Sequence, residues 1–485
     1  MCELDLPLKF AQKLYNEFAI RHPNAFYLRT RQRGMQNWDG KIHYITKTGQ
    51  FKIGLLPKVY DMCIEMGIKP KVVDMRQPLP KISKVVTNIG KYKLRPEQEK
   101  AVKSVINNRV GDTPFHIGVL DYTVNAGKTL IMSSLYLTYK KQLKTLLITN
   151  DSDWLNQARE EFKQYLPGED ITFVQGKVLN WSNFTIGMVQ SISRNMRFYQ
   201  KELSQIDMVL VDEADQGGSK QYQNVITRLF NTRIRIGLSG TIYMSKLAKD
   251  KVKNMNLECF FGKVIAEFKL KDSIKKGYST KTIVKMVPGK PWYGNWESDC
   301  ISYKEIYDDS ITENNTAWTM AYNRLRWNIN QGRYPALVVC KHIAHCENLY
   351  KFFKKKLGDA YNIAYVHVNT PSKLRQQIMR DFREGKIDIL VSTTIIARGK
   401  NFPKLRYLLN AASMDSQEKS IQFLGRLVRT DKSKKKVYLD DLHYPGPYLD
   451  RHGKHRKQYY QRQELKVILL DKLWKKHPNH SLIKS

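Results

Sequence analysis

Short apolar runs alternate along the chain with stretches whose apolar residues recur at helical spacing. A run of four or five apolar residues between turn signals is typical of a strand that is buried on both faces. Strands that alternate with helices predict doubly wound parallel sheets, whose ligands bind at the carboxyl ends of the strands. The pattern therefore predicts an α/β fold with one such sheet in each half of the chain. The predicted strands cover residues 117–120, 145–148, 185–189, 208–211 and 236–238, then 336–340, 362–366, 388–391 and 405–409.

The first 88 residues follow a different pattern, which predicts a small α+β domain. Asp39-Gly40 is a hairpin turn signal, and Gly67 suits the C-terminal cap of a helix. Basic residues such as Lys41 lie close to Trp38, a mixture that suits phosphate contact with base stacking. Packing of Trp38 in a small core is an equally good interpretation. The predicted elements are helices over 7–19 and 55–66 and strands over 25–31, 41–45, 51–53 and 72–73.

The pattern predicts four parts of the chain. Residues 1–88 are an accessory nucleic-acid-binding domain, and residues 89–258 and 259–445 are the two sheet domains. Residues 446–485 form a strongly basic tail, which is predicted to be helical and either to contact nucleic acid or to brace a domain. A floppy basic tail is the alternative.

The composition of the chain predicts a class of binding partner and a cellular compartment. The 82 Lys and Arg residues outnumber the 45 Asp and Glu residues, so the net charge is +37. Such an excess predicts a polyanionic partner, most simply nucleic acid. Without an apolar run of about 18 residues no membrane span is expected, and the N-terminus lacks a signal pattern. Six scattered cysteines fit a reducing cytoplasm, which would be that of the host if the protein is viral.

The first predicted strand of the sheet leads into a candidate phosphate-binding loop. A tight turn that includes Asn125 and Ala126 ends in Gly127-Lys128-Thr129, where an apolar helical pattern begins. Backbone N–H groups at such a helix start bind an anion. Lys128 would contact the β and γ phosphates, and the Thr129 hydroxyl would bind Mg²⁺. Tyr122 occupies the position of the usual first glycine, and three residues alone are a weak signal.

Two carboxylates follow the strand at 208–211. Asp212 is predicted to hold Mg²⁺ through its water shell, and Glu213 to orient the attacking water. An acidic turn is the alternative, but it does not explain the four apolar residues that precede the pair. Arg95 and Gln98 precede the phosphate loop and are candidates for reading the adenine edge.

A helix over residues 422–429 carries Gln422, Arg426 and Arg429. The two arginines are three positions apart and are predicted to share a helix face. Two guanidinium groups on one face suit a transferring phosphoryl group that they would clamp from across a cleft. A basic surface helix is the alternative, against which the glycine and apolar residues around the pair argue.

Taken together, these stretches resemble the superfamily 2 helicases and translocases over about residues 90–440. Residues 128–129, 212–215, 239–241, 397–399 and 422–429 resemble motifs I, II, III, V and VI of that superfamily. The resemblance implies two tandem RecA-like domains that bind ATP and Mg²⁺ between them and step along a nucleic acid strand. It further implies ATP contacts by Gly399 and Asn401, coupling by Ser239 and Thr241, and nucleic-acid contacts by Thr149, Gln190, Ser191, Thr393 and Arg398.

Within the superfamily, the chain resembles the phage recombination and fork-remodelling helicases, through residues 37–42 with 54–55 and through residues 449–459. This implies ATP-dependent unwinding or branch migration of forks, Holliday junctions or R-loops, by a monomer that works beside other replication or recombination proteins. The literal Asp-Glu-Ala-Asp at 212–215 does not indicate the RNA-directed DEAD-box group, which has His-Arg where this chain has Gln422-Phe423. Motif V is closer to DEAD-box sequences, which leaves the choice between DNA and RNA open.

Several alternatives remain at this level. An RNA helicase and a double-stranded DNA translocase without strand separation are the nearest. A nucleic-acid-binding module that has lost its ATPase is disfavoured by intact Lys128 and Glu213, and a P-loop kinase would not need the second sheet. The Cys340, His342, His345 and Cys346 cluster is too compressed to favour zinc. The carboxylates at 297–309 are interpreted as a solvated insertion and not as a nuclease pair.

Overall fold

The computed structural model describes residues 2–5, 7–31, 34–82, 84–139, 142–176, 178–240, 242, 248–289, 302–397, 402–431 and 434–470. The chain forms two compact units, Met1–Phe268 and Lys269–Ser485. The boundary between them lies ten residues after the predicted boundary at 258, and neither 88 nor 445 separates compact units. None of the helices in the described ranges combines the length and apolar character that a membrane crossing requires.

The first unit is an α/β sandwich with small additions at its N-terminus. Its helices are α1 Leu8–Glu17, α2 Ala25–Arg31, α3 Leu56–Glu65, α4 Pro96–Ile106, α5 Lys128–Thr138, α6 Ser152–Tyr165, α7 Val189–Arg194, α8 Gln200–Ser204, α9 Lys220–Ile226 and α10 Ala248–Phe261. Its strands are β1 Ala19–Arg21, β2 Lys41–His43, β3 Asn88–Ile89, β4 Tyr92–Lys93, β5 Arg109–Val110, β6 Thr113–Pro114, β7 Ile117–Tyr122, β8 Thr145–Thr149, β9 Ile171–Gln175, β10 Val178–Leu179, β11 Phe184–Met188, β12 Met208–Asp212, β13 Ile234–Ser239 and β14 Val264–Phe268.

The second unit repeats the α/β plan. Its helices are α11 Leu270–Lys275, α12 Tyr303–Tyr307, α13 Asn315–Ile329, α14 Ile343–Leu357, α15 Ser372–Glu384, α16 Gln417–Leu427 and α17 Leu449–Arg462. Its strands are β15 Lys281–Pro288, β16 Ala336–Cys340, β17 Ile363–Val366, β18 Ile389–Thr393, β19 Tyr407–Asn410, β20 Lys436–His443 and β21 Lys466–Leu469.

The two large sheets confirm the predicted fold class. Within the described residues the first has the order β10-β9-β11-β8-β12-β13-β7-β14 and the second β17-β18-β16-β19-β20-β15-β21. All pairs are parallel except β10 with β9. The strands β7, β8 and β12 are buried along their whole length, as expected of parallel strands with helices on both faces. Each of the nine predicted sheet strands is present.

The N-terminal prediction was wrong in three places. Residues 25–31 form the helix α2 and not a strand, because three consecutive large apolar residues do not alternate, and β1 instead supplies the partner of β2. Residues 51–53 do not form a strand, because Phe51 makes isolated bridges with Cys2 and Ile45 before a 3₁₀ turn. Residues 72–73 are described but lie outside any strand.

Two later predictions are only partly confirmed. In the carboxylate-rich insertion α12 continues into a π-helix at Asp308–Thr312, where Asp309 is exposed, as expected of a solvated carboxylate, while Ser310, Ile311 and Thr312 are buried. Residues 297 and 299 lie outside the described residues. The basic tail is only partly helical. It contains α17 and then β21, which pairs with β15 and so extends the second sheet. Residues 471–485 lie outside the described residues.

The N-terminal region and the first sheet share a core. Leu14, Phe18 and Leu55 belong to the same cluster of buried side chains as Val119 and Leu146. Lys58 Nζ pairs with Glu258 Oε2 on α10 at 2.7 Å. Gly54 lies directly against the backbone of Glu258 and Cys259, where a Cβ atom would have no room.

Gly54→Ala should therefore push the 3₁₀ turn away from α10. We expect the free energy of unfolding to fall by about 1–3 kcal/mol, the usual cost of overpacking. Thermal or urea unfolding measures this, with Glu17→Ala on the exposed face of α1 as the control. An unchanged unfolding midpoint would show that the N-terminal region does not depend on this contact.

Candidate functional site: the nucleotide edge and its neighbours

The predicted phosphate loop joins β7 to α5. Gly127 caps the helix in the left-handed region with φ +73°, and Asn125 has φ +65°. Left-handed residues in such a loop turn backbone N–H groups towards one point, which makes an anion-binding concavity. Two independent constraints favour glycine at position 127. Its φ lies in the left-handed region, and a Cβ atom there would collide with the amide of Gln98.

Arg95 and Gln98 hold this loop from one side. Gln98 is buried, and its Nε2 donates to the Ala126 carbonyl at 2.8 Å while its Oε1 accepts from the Arg95 N–H at 2.9 Å. Arg95 Nη2 donates to the Asn125 carbonyl at 3.2 Å. Both side chains therefore contact loop backbone in the structure, and their contact with adenine stays a prediction.

Tyr122, which replaces the usual glycine, braces the loop from its other end. Its hydroxyl donates to the Glu97 carbonyl at 2.7 Å, one residue before Gln98. Tyr122 departs from the sequence motif, and no local pattern predicts its contact with Glu97. The side chains of Gln98 and Tyr122 thus tie the loop to the start of α4.

Lys128 and Asp212 provide the charges of the site. Lys128 Nζ donates to the Tyr122 carbonyl at 3.3 Å. Burial raises the pKa of Asp212, and the nearby Lys128 charge opposes that rise. Among the described residues, Asp212 Oδ1 has no hydrogen-bond partner although it is buried. A buried carboxylate oxygen without a partner and the partly exposed hydroxyl of Thr129 are both of the oxygen-ligand type that Mg²⁺ prefers.

Glu213 follows Asp212 in an uncommon backbone conformation. Its φ is +51°, and it precedes a 3₁₀ turn over Ala214–Gln216. Strain of this kind in a non-glycine residue tends to be kept at functional sites. Asp215 Oδ1 accepts from the Ser239 hydroxyl at 2.8 Å, which links motif II to the end of β13. Thr241, the second predicted coupling residue, lies outside the described residues.

The predicted nucleic-acid residues of the first unit lie at the same carboxyl edge. Thr149 ends β8, where its hydroxyl accepts from the Asp151 N–H at 3.2 Å. Gln190 follows β11, and its Nε2 donates to the Asn150 carbonyl at 3.3 Å. The neighbouring Ser191 hydroxyl accepts from the Gly176 N–H at 2.9 Å. Their contact with nucleic acid stays a prediction.

Asn150 is a residue that sequence reasoning missed. Its amide Nδ2 donates to Gln216 Oε1 in the motif II turn, while its carbonyl accepts from Gln190. Asn150 therefore connects a predicted nucleic-acid residue to the turn that follows Asp212 and Glu213, the carboxylates predicted to act in hydrolysis. An asparagine directly after a buried strand, beside Thr149, was the available signal.

In the second unit the predicted arginine helix is shorter than expected. Gln422 and Arg426 lie on α16 and are partly exposed, whereas Arg429 lies two residues beyond Leu427, the last helical residue. The prediction that both arginines share one helix face is therefore wrong, because the helix has already ended. The backbone after it is fixed by Thr280, whose N–H donates to the Val428 carbonyl at 2.8 Å.

The motif V region is only partly described. Thr393 is buried at the end of β18, and the adjacent Thr394 hydroxyl accepts from Lys419 Nζ of α16 at 3.2 Å. The end of β18 is thus tied to the helix that carries Gln422 and Arg426. Arg398, Gly399 and Asn401 lie outside the described residues, so their predicted roles stay predictions.

The Cys/His cluster packs inside the second unit. His345 Nδ1 lies 3.0 Å from the Tyr307 hydroxyl, and burial lowers the pKa of His345 to about 3. Cys340 and Cys346 are buried in the same core. Within the described ranges, three His, Cys, Asp or Glu residues do not gather anywhere in a way that could hold a metal ion.

The side chains of Trp38 and Lys41, both predicted to contact nucleic acid, differ in their exposure to solvent. The Trp38 indole N–H donates to the Lys41 carbonyl at 2.9 Å, and its ring meets His22 edge-on. Lys41 is exposed. The exposed aromatic side chains of this region are instead Phe26 and Tyr27. Both lie on α2, which the sequence pattern had predicted to be a strand.

Two protein-family models match the chain. The model described as "Type III restriction enzyme, res subunit" matches residues 91–244, which include the phosphate loop and motif II. The model described as "Helicase conserved C-terminal domain" matches residues 321–431, which include α16.

Relatives and a solved structure agree with these matches. The ATP-dependent DNA helicase uvsW of Enterobacteria phage T4 is 21% identical over 436 residues, covering 84% of this chain and 82% of the phage protein. Putative helicase 22 of Sulfolobus islandicus filamentous virus is 22% identical over 385 residues, covering 73% of this chain and 64% of its own length. ATP-dependent RNA helicases also match, over shorter stretches. A fragment of a putative HsdR subunit of a type I restriction enzyme from Vibrio vulnificus YJ016 has the same fold, with a TM-score of 0.57 and 16% identity over 78% of this chain and 69% of the fragment.

Gln98→Ala should loosen the phosphate loop, because it removes the donor to the Ala126 carbonyl. We expect the Kd for ATP to rise roughly 2–10-fold, the equivalent of one lost hydrogen bond. Titration with a fluorescent ATP analogue measures this, with the exposed Lys100→Ala on the same helix as the control. An unchanged Kd would show that the loop keeps its shape without this amide.

Proposed function

The chain belongs to superfamily 2 of helicases and translocases, whose members are nucleic-acid-dependent ATPases, and we propose that it uses ATP to unwind or branch-migrate DNA. Its substrates would be forks, Holliday junctions or R-loops in phage-type recombination, replication or repair. We expect it to act as a monomer in the cytoplasm of a host cell, beside other replication or recombination proteins. An RNA helicase is the second candidate, since RNA helicases are also among its relatives.

One observation carries the ATPase part of the proposal. The left-handed loop before α5 presents backbone N–H groups beside Lys128, and Asp212 is buried close enough for the two charges to interact. The loop suits the phosphates of a nucleotide, and the carboxylate suits the metal that accompanies them. Bound Mg²⁺ would neutralise charge that develops on the phosphates.

The residues of the chain would divide the chemistry among them. Lys128 would leave the Tyr122 carbonyl to bind the β and γ phosphates, and Thr129 with Asp212 would hold the metal. Glu213, next to Asp212 in its strained conformation, would orient the attacking water and accept its proton. Gln422, Arg426 and Arg429 of the second unit would supply hydrogen bonds and positive charge to the γ phosphate during transfer.

Two observations favour DNA over RNA. The uvsW helicase of phage T4, whose name specifies DNA, matches 84% of this chain over 82% of its own length. Motif VI starts with Gln422-Phe423, where the RNA-directed DEAD-box group has His-Arg. The net charge of +37 supports a polyanion of either kind.

The N-terminal region offers a surface for the nucleic acid. Arg21, Arg29 and Lys41 line a cavity of about 580 Å³ together with Phe26. Phe26 is 78% exposed, and the nearby Tyr27 is 55% exposed. Cationic groups beside exposed rings suit phosphate contact with base stacking. We propose that this surface, which we call the N-terminal basic face, binds the DNA.

Glu213→Gln should separate nucleotide binding from turnover. The substitution keeps the size of the side chain but removes its charge, so ATP binding should persist while hydrolysis falls by about 10²–10⁴-fold. Strand separation of a forked DNA should disappear with it. Lys128→Ala should instead weaken ATP binding itself, because it removes the phosphate contact.

The measurements are ATP affinity, ATPase rate and separation of a labelled fork for the wild type and both variants. Near-normal turnover by Glu213→Gln would contradict its assignment. Separation of an RNA duplex but not of the DNA fork by the wild type would replace the DNA proposal with the RNA alternative.

A double variant, Arg29→Ala with Lys41→Ala, tests the N-terminal basic face. Loss of two phosphate contacts should weaken fork binding and reduce the slope of log affinity against log salt by about 2. Fluorescence anisotropy with a labelled fork over a salt series measures both quantities. Lys163→Ala, an exposed lysine of α6, is the control, and basal ATPase should be normal in all variants. A salt slope equal to that of the wild type would mean that DNA binds elsewhere.

A further inference from the structure

The C-terminal helix α17 is fixed to the second sheet by a buried ion pair. Arg456 is fully buried, and its Nε lies 2.9 Å from Asp441 Oδ1 while its Nη2 lies 2.8 Å from the same oxygen. The Tyr460 hydroxyl, one turn later on α17, donates to Asp441 Oδ2 at 2.7 Å. Asp441 belongs to β20, so α17 is bound directly to a central strand of the sheet.

The same guanidinium also reaches the turn that leads into α16. Arg456 Nη1 donates to the Met414 carbonyl at 3.0 Å, and Nη2 donates to the Leu442 carbonyl at 3.0 Å. Asn410, the last residue of β19, donates to Asp441 Oδ2 at 2.8 Å. One arginine and its carboxylate therefore hold both ends of the turn between β19 and α16.

A second carboxylate in this turn, that of Asp415, also contacts α17. Asp415 Oδ1 lies 2.9 Å from His455 Nδ1 and 3.5 Å from the Tyr459 hydroxyl. Asp415 directly precedes Ser416, whose hydroxyl caps α16 by accepting from the Lys419 N–H at 3.3 Å. Two side chains of α17 thus contact the residue directly before the capping residue of α16.

The turn itself is strained. Ser413 is fully buried and has φ +43°, a left-handed conformation that residues other than glycine rarely adopt. Such strain persists when surrounding contacts over-determine the backbone, and it concentrates at functional sites. The contacts of Arg456 with Met414 and of His455 with Asp415 flank Ser413 on its C-terminal side.

We propose that α17 is a positioning element for α16, with Arg456 and His455 as positioning residues for Gln422 and Arg426. The inference rests on the proposed function, because it assigns hydrolysis to those α16 side chains. A buried ion pair adds little net stability, so its value here lies in fixing one orientation of the helix. The C-terminal helix then belongs to the ATPase machinery and is not an independent nucleic-acid-binding tail.

Arg456→Lys is the sharpest substitution. Lysine keeps the charge but lacks the planar fork that reaches Asp441, Met414 and Leu442 together. We expect kcat of DNA-stimulated ATP hydrolysis to fall by about 10–100-fold, as a misplacement near 1 Å can cause. KM for ATP should change less than twofold, because the first unit carries the phosphate loop. The exposed Arg462→Lys at the end of the same helix is the matched control and should behave as the wild type.

A second variant and a second measurement distinguish misplacement of α16 from a general loss of folding. Asp415→Asn keeps the shape of the side chain but removes the charge that faces His455, and it should lower kcat in the same direction. The rate of amide hydrogen exchange reports on how firmly α16 is held and does not require ATPase activity. Residues 413–427 should exchange faster in both variants, and residues 315–329 of α13 should not.

The outcomes are distinct. Wild-type kcat with wild-type exchange in both variants overturns the inference. A uniform rise in exchange over the whole second unit, with kcat lowered in proportion to the folded fraction, also overturns it, because the contacts would then serve stability alone. A wild type without DNA-stimulated hydrolysis refutes the proposed function, and exchange at 413–427 then decides by itself whether α17 holds α16.

Discussion

The buried carboxylate of Asp212 beside the positive charge of Lys128 is the electrostatic constraint at the predicted nucleotide-binding edge. Burial alone would favour a neutral Asp212, and the neighbouring cation opposes that tendency. The pair can be placed this way because β7 and β12 are separated by one strand, so that the loop after one and the turn after the other meet at the same edge. The hydrogen bonds of Gln98 to Ala126 and of Tyr122 to Glu97 tie the phosphate loop to α4, directly before Gly127 caps α5.

Hydrogen bonds extend from this edge towards the predicted nucleic-acid residues. Asn150 joins Gln190 to the motif II turn through Gln216, and Ser239 joins the end of β13 to Asp215. These bonds connect the predicted nucleic-acid residue Gln190 to the turn that directly follows Glu213.

Much of the fold was predictable because parallel strands buried on both faces appear as uninterrupted apolar runs, as at β7, β8 and β12. The motif residues were predictable for a related reason, since they directly follow such strands. Features that depend on distant partners were not. Ala25–Arg31 has aromatic residues that favour a strand, but the partner of β2 is β1, and no local pattern places Arg456 against Asp441. The end of α16 before Arg429 was likewise missed, because its neighbour Thr280 is far away in sequence.

Dependence of ATP hydrolysis on DNA is the central proposal, and the most direct test compares ATPase rates with different nucleic acids. The wild-type protein would be measured alone and with single-stranded DNA, duplex DNA, a model fork and RNA of matched sequence, at one fixed salt concentration. We expect a DNA fork to raise the rate well above the basal value and above the rate with RNA. Stimulation by RNA that equals or exceeds that by every DNA, or a rate that no nucleic acid changes, would contradict it.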